Sequence, residues 1–237
     1  MKAILKITTL TSLVIGAVLA ASTPAYSATV TVDPSASWIG YMNVFALPSA
    51  GGGYMFGSGW GTADLTATFS GSTLTLGPNT IGDPSSYWYT PAGGPGAVGN
   101  KVMDASMYVQ PADGTYTGQT LNFTGDVLAN TLAGQTAPNG VSWTTVAFIK
   151  DFAPDYSSFN ASTAPLVNGL FNISLATVSD PARHVQYGFE TIGSNVWITD
   201  VGQFGNVQII PVPEPSSLAL VGLGILGVFG SRRQRSR

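Results

Sequence analysis

The sequence predicts an all-β fold, a β-sandwich, on three observations. Short segments with alternating or β-branched apolar residues recur along the chain, while helical periodicity is almost absent. Gly and Pro number 29 and 15 among 237 residues, and turn dipeptides separate the apolar segments. The chain is 44% hydrophobic and only 9% charged, a composition that buries a core and does not suit a disordered polymer. About ten short strands at this spacing indicate a sandwich, and no internal repeat points to a propeller or β-helix.

Taken in order, ATVTVD (28–33), SWIGYMNVFAL (37–47), ADLTATFS (63–70) and STLTLG (72–77) place β-branched or aromatic residues at every second position. The same pattern runs through VMDASMYVQ (102–110), QTLNFTGDV (119–127) and VSWTTVAFIKDF (141–152). It closes with LFNISLATVS (170–179), HVQYGFETI (184–192) and FGNVQII (204–210). A period of two puts one set of side chains on a core face and the other outside. Asp113-Gly114, Asn139-Gly140 and Asn168-Gly169 supply the positive φ angles of tight turns and mark hairpins or loops. Trp143, in register with Val141 and Thr145, reads as core.

Both termini carry processing grammar. MKAILK is basic, the following residues to Ala21 are apolar, and Ala25 and Ser27 are small residues at the −3 and −1 positions of a cleavage after Ser27. Residues 1–27 are therefore expected to be a signal peptide, and the chain to be exported. With no Cys, no disulfide framework forms. At the other end, Leu218 to Gly230 lacks any charge or Pro, and Pro215 to Ser231 spans seventeen residues. That is the lower limit for a membrane helix of roughly 17–25 residues. Arg232, Arg233, Arg235 and Arg237 follow at once and act as a cytoplasmic stop. Gly222 to Gly227 matches G-x-G-x-x-G, but it lies inside the apolar run and not between a strand and a helix, so no dinucleotide loop is expected.

Val212-Pro213-Glu214-Pro215, the short Gly/Leu-rich helix and the arginine cluster together resemble the PEP-CTERM sorting signal. The resemblance implies that Pro213, Glu214 and Pro215 are recognised by an exosortase, a membrane protease-transpeptidase of Gram-negative bacteria that make exopolysaccharide. It further implies that the helix anchors the chain only until processing removes it with the arginines. The organisation expected is a signal peptide (1–27), a β-sandwich domain (28–210) and a sorting signal (211–237).

The body contains eleven acidic residues against Lys101, Lys150 and Arg183. Phosphate binding relies on Lys and Arg, so a nucleic-acid partner is excluded. Cations or neutral glycans suit such a surface better. The ending Phe204-Gly205-Asn206-Val207-Gln208-Ile209, a last strand after an Asp-containing loop, is similar to the close of many galactose-binding-like and carbohydrate-binding jelly rolls. That similarity implies a jelly-roll sandwich with binding loops at one rim and a structural calcium. Asp151 and Asp155, in KDFAPDYSS, are the carboxylates expected to ligate such an ion or, alternatively, to cap backbone amides in a turn.

No convergent catalytic set stands out. There is no Cys, no G-x-S-x-G elbow and a single His, and Glu190 is the one Glu of the body. The enzyme alternative is a polysaccharide lyase built on Arg183-His184-Val185-Gln186-Tyr187, with His or Tyr as base and Arg or Gln at the uronate carboxylate. So few basic residues suit an acidic polymer poorly. Aromatic residues are the better candidates. Tyr87, Trp88 and Tyr89 lie in a Pro/Gly/Ser-rich stretch expected to be a surface loop, where aromatic faces stack on sugar rings; Trp60 is a second candidate. The expected function is a non-catalytic exopolysaccharide-binding or structural module of the cell surface or extracellular matrix.

Overall fold

A computed structural model describes residues 26–212. The signal peptide up to residue 25, the Pro213–Pro215 motif, the apolar helix and the arginine cluster lie outside the described residues.

Fourteen strands form the described chain. They are β1 (Ser27–Thr31), β2 (Trp38–Ala46), β3 (Tyr54–Trp60), β4 (Ala67–Ser70), β5 (Thr73–Leu76), β6 (Tyr89–Thr90) and β7 (Val98–Gly99), then β8 (Lys101–Val109), β9 (Thr120–Asn130), β10 (Thr144–Phe152), β11 (Phe159–Pro165), β12 (Gly169–Ala176), β13 (His184–Ser194) and β14 (Val207–Ile210). Two six-stranded sheets pack into an all-β sandwich, as the alternation predicts. One sheet runs β11-β10-β13-β8-β2-β3 and is antiparallel throughout. In the other, β12 takes one edge of β9, while β1 and β14 meet end to end along its other edge, followed by β5 and β4. β1 is parallel to β9 and β14 antiparallel, so the sheet is mixed. The architecture is compatible with a jelly-roll-like body.

The core lies between the sheets. β8 sends Met103, Ala105, Met107 and Val109 inward, and β9 answers with Leu121, Phe123 and Val127. Phe123 sits at the centre, its ring 5.2–5.3 Å from those of Tyr187, Phe189 and Phe171. Full burial of each such aromatic or aliphatic side chain stabilises the fold by roughly 1.5–3 kcal/mol. Trp143 is buried as expected, although it precedes β10.

Four strands escape the sequence pattern: the two-residue pair β6 and β7, and two longer strands. β3 lies within GGGYMFGSGWG, where glycines hide the alternation, and β11 is FNASTAP, most of whose residues are exposed. The Gly turn dipeptides also differ in use. Gly114, Gly140 and Gly169 have φ of +80°, +84° and +106°, yet the first two sit in connections that cross from one sheet to the other, and Gly169 opens β12 at the end of a third such crossing. The hairpins turn instead at Gly51–Gly53, at Gly71 and at residues 153–158.

Candidate functional site

The antiparallel sheet carries a recess of about 600 Å³ on its outer face, the face turned away from the core. Period-two geometry builds it. On β2, Met42 and Val44 point inward, so Tyr41 and Asn43 point out; on β8 the outward residues are Asp104, Ser106 and Tyr108. β13 contributes Gln186 and β10 contributes Lys150 and Phe152, while the β10–β11 turn and the start of β11 add Tyr156 and Phe159. Polar groups form the floor and five aromatic rings form the walls.

The floor is electrostatically uneven. Lys150 and Glu190 form an ion pair with side chains only 16% and 12% exposed, and Ser106 Oγ donates to the same Glu190 oxygen at 3.3 Å. Asp104 has no such partner. Its Oδ2 receives a long hydrogen bond from Asn43 Nδ2 at 3.5 Å, and its Oδ1, sealed from solvent, has none among the described residues. Burial, reinforced by the Glu190 charge and opposed by Lys150 and Asn43, pushes the Asp104 carboxyl up to about 6. A carboxyl shifted this way inside a recess is a recurrent mark of a functional site. Burial likewise raises the pKa of the Tyr108 phenol, with smaller contributions from Tyr156 and Tyr41.

One wall is held in a strained conformation. Tyr156 has φ of +58°, a left-handed backbone that bulky residues rarely adopt. Asp155 makes the turn possible: its Oδ1 accepts from Ser157 N at 3.1 Å and Ser157 Oγ at 2.6 Å. These hydrogen bonds lower the Asp155 pKa. The Tyr156 ring then stacks on His184, centroids 4.3 Å apart and planes within 5°. The Tyr156 hydroxyl accepts from Gln110 Nε2, while Gln110 Oε1 accepts from Gln186 Nε2, which ties the wall to the floor.

The residues expected from sequence fall elsewhere. Trp88 and Tyr89 are 9% and 0% exposed, core residues and not surface rings. The loop is anchored inward because Tyr89 Oη donates to the Ile81 carbonyl at 2.8 Å and Asn195 Nδ2 donates to the Trp88 carbonyl. Tyr87 remains exposed, its ring under the Lys101 ammonium at 4.3 Å. Trp60 packs partly against the core and donates from Nε1 to Ser58 Oγ. None of the four lines the recess. The expected calcium pair does not come together either. Asp151 is fully buried, with Oδ1 accepting from Arg183 Nε and Oδ2 from Val178 N, so it lacks a free oxygen for an ion. Asp155 lies on the exposed β10–β11 turn, where its Oδ1 alone accepts from Ser157. Among the described residues no three His, Cys, Asp or Glu converge as metal ligands.

The lyase alternative loses its geometry as well. Tyr187 is buried on the core face, where burial pushes its pKa up to about 12. Arg183 is held by Asp151, and both nitrogens of His184 are taken, Nδ1 at 2.6 Å from Asp113 and Nε2 at 3.1 Å from the Pro154 carbonyl. Burial opposes the His184 charge, but these two acceptors prevail and raise its pKa. Of that pentapeptide only Gln186 reaches the recess. Sequence reading missed Tyr108, Phe152, Tyr156 and Phe159 because each looks like an ordinary strand or turn aromatic. The available signal was their shared parity on neighbouring strands, visible only once register is known.

These features define an all-β sandwich with an aromatic-walled recess on one outer face. Residues 211–234 match the family described as the PEP-CTERM protein-sorting motif. The chain therefore carries an exosortase sorting signal, which marks it for export and association with the cell surface. No curated protein and no solved structure matches the chain.

Proposed function

We propose that the body is a non-catalytic module that binds exopolysaccharide in the recess on the outer face of β2, β8, β13 and β10, once exosortase sorting has brought it to the surface or matrix. The observation that supports this reading is the pairing of aromatic walls with a polar floor in about 600 Å³. That volume lies in the range of roughly 300–1,000 Å³ used for small-molecule and glycan-sized ligands. Aromatic faces cover the apolar CH faces of a pyranose, and floor groups such as Asn43, Ser106 and Gln186 exchange hydrogen bonds with its hydroxyls.

The test is co-sedimentation of the full chain, purified in detergent, with a panel of insoluble or gelled polysaccharides that includes matrix from the producing cells. Saturable retention on one polymer, reduced about tenfold or more by Tyr108→Ala or Tyr41→Ala, is the expected result. Retention on no polymer, or retention unaffected by both substitutions, overturns the reading.

A further inference from the structure

We infer that the recess selects polymers of amino sugars, whose free ammonium groups pair with Asp104. The inference rests on the recess being the glycan site and adds the class of glycan. The body has eleven acidic residues and three basic ones, so its field favours cations. Within the recess Glu190 is already neutralised by Lys150, whereas Asp104 has no ion-pair partner among the described residues: Lys150 acts on it only from a distance, and its Oδ2 holds a single long hydrogen bond of 3.5 Å from Asn43.

The same face already holds one ammonium group in the way proposed. Lys150 Nζ is paired with the Glu190 carboxylate and lies over the rings of Phe148 and Phe159, 4.4 and 5.6 Å from their centroids. Asp104, in a recess shared with the rings of Tyr41 and Tyr108, repeats that combination of carboxylate and aromatics without an ion-paired lysine of its own. An incoming ammonium brings three donors and a charge-assisted hydrogen bond, about twice as strong as a neutral one. Aromatic faces add cation–π attraction. A neutral hexose offers Asp104 one hydroxyl hydrogen bond; an N-acetylated residue offers an amide. A uronate sets its own carboxylate against Asp104 and Glu190, with Lys150 already engaged.

Titration calorimetry on the full chain in detergent, at neutral pH and low salt, separates these classes with three probes. They are a β-linked glucosamine hexasaccharide, its N-acetylated counterpart and a glucose hexasaccharide. The glucosamine probe is expected to bind at least about tenfold more tightly than the other two. Asp104→Asn is expected to erase that preference while the neutral probes keep their affinity. In the parent, the preference should also fade below about pH 6, where Asp104 gains a proton, although the sugar amine stays charged. The other titratable groups around Asp104 are Glu190 on β13, Lys150 on β10, Tyr41 on β2 and Tyr108 on β8. Equal affinity for the three probes, or a preference that survives Asp104→Asn, overturns the inference. If that variant does not fold, a parent preference unchanged below about pH 6 overturns it equally. Tyr108→Ala serves the underlying reading: it should weaken every probe. Binding untouched by Tyr108→Ala, or no binding of any probe, sinks the glycan site itself and the inference with it.

Discussion

Two aspartates show how burial can lead to opposite outcomes at the scale of single residues. Asp151, fully buried, is matched by Arg183 and by the Val178 amide, whereas Asp104 is left in a recess with a poor partner. Asp151→Ala strands the Arg183 charge and should cost about 3–5 kcal/mol in denaturant unfolding. A chelator should leave Tm unchanged, since both Asp151 oxygens are taken by Arg183 and Val178 and Asp155 stands on an exposed turn with no second carboxylate beside it among the described residues; a large drop would show that an ion contributes to the fold. Asp104 gives a pH signature. Its pKa is raised from 3.8 to about 6, so the folded state holds the proton more tightly than the unfolded chain. Its contribution to stability is full below about pH 3.8 and is lost as pH rises through about 6, a loss on the order of 3 kcal/mol. His184, also raised, loses stability in the same direction, so Asp104→Asn is the clean comparison. That variant should match the parent in acid and exceed it in stability above about pH 6. Trp88→Ala, by contrast, removes a core side chain packed against Phe56 and Tyr87 and should cost about 3–5 kcal/mol without touching the recess.

At the scale of elements, β3 explains why glycine belongs in a strand here. A Cβ on Gly57 would stand 2.7 Å from Asn43 Oδ1 and 2.8 Å from the Tyr41 hydroxyl. The glycine leaves room for two residues that line the recess. Because the atoms crowded are side-chain tips, Gly57→Ala should change stability by less than about 1 kcal/mol, yet shift Tyr41 and weaken glycan retention several-fold. Thermal unfolding and co-sedimentation of one variant check both halves. The same glycines account for what the sequence concealed. Strands with clean alternation, such as β2 and β9, were legible because one face is buried and the other is wetter. β3 and β11 were not, since Gly and small polar residues blur their period. Aromatic residues in a Pro/Gly-rich stretch suggested a surface, but Trp88 and Tyr89 anchor that stretch to the core. Local composition identifies a loop without showing which side chains turn inward. The recess itself depends on residues from five strands and a turn, a juxtaposition that only sheet order creates.

For the molecule as a whole, the sorting tail follows the last strand almost without a linker. Ile210 ends β14, and Val212 N still donates to Thr31 Oγ1 at 3.2 Å, one residue before the Pro-Glu-Pro motif. Mass analysis of the mature surface protein should find a C-terminus near Pro213–Pro215, and substituting that motif should leave Arg237 in place. An intact Arg237 in the native protein would refute processing. β14 is also an interior strand, inserted between β9 and β5. A chain delivered across a membrane from its N-terminus presents β14 last, after thirteen other strands have emerged. One sheet must wait, open down its middle, until the residues beside the sorting signal arrive. Completion of the fold and arrival of the address are thus a single event in time, and a protein whose tail has not cleared the export channel has an unfinished sheet to offer.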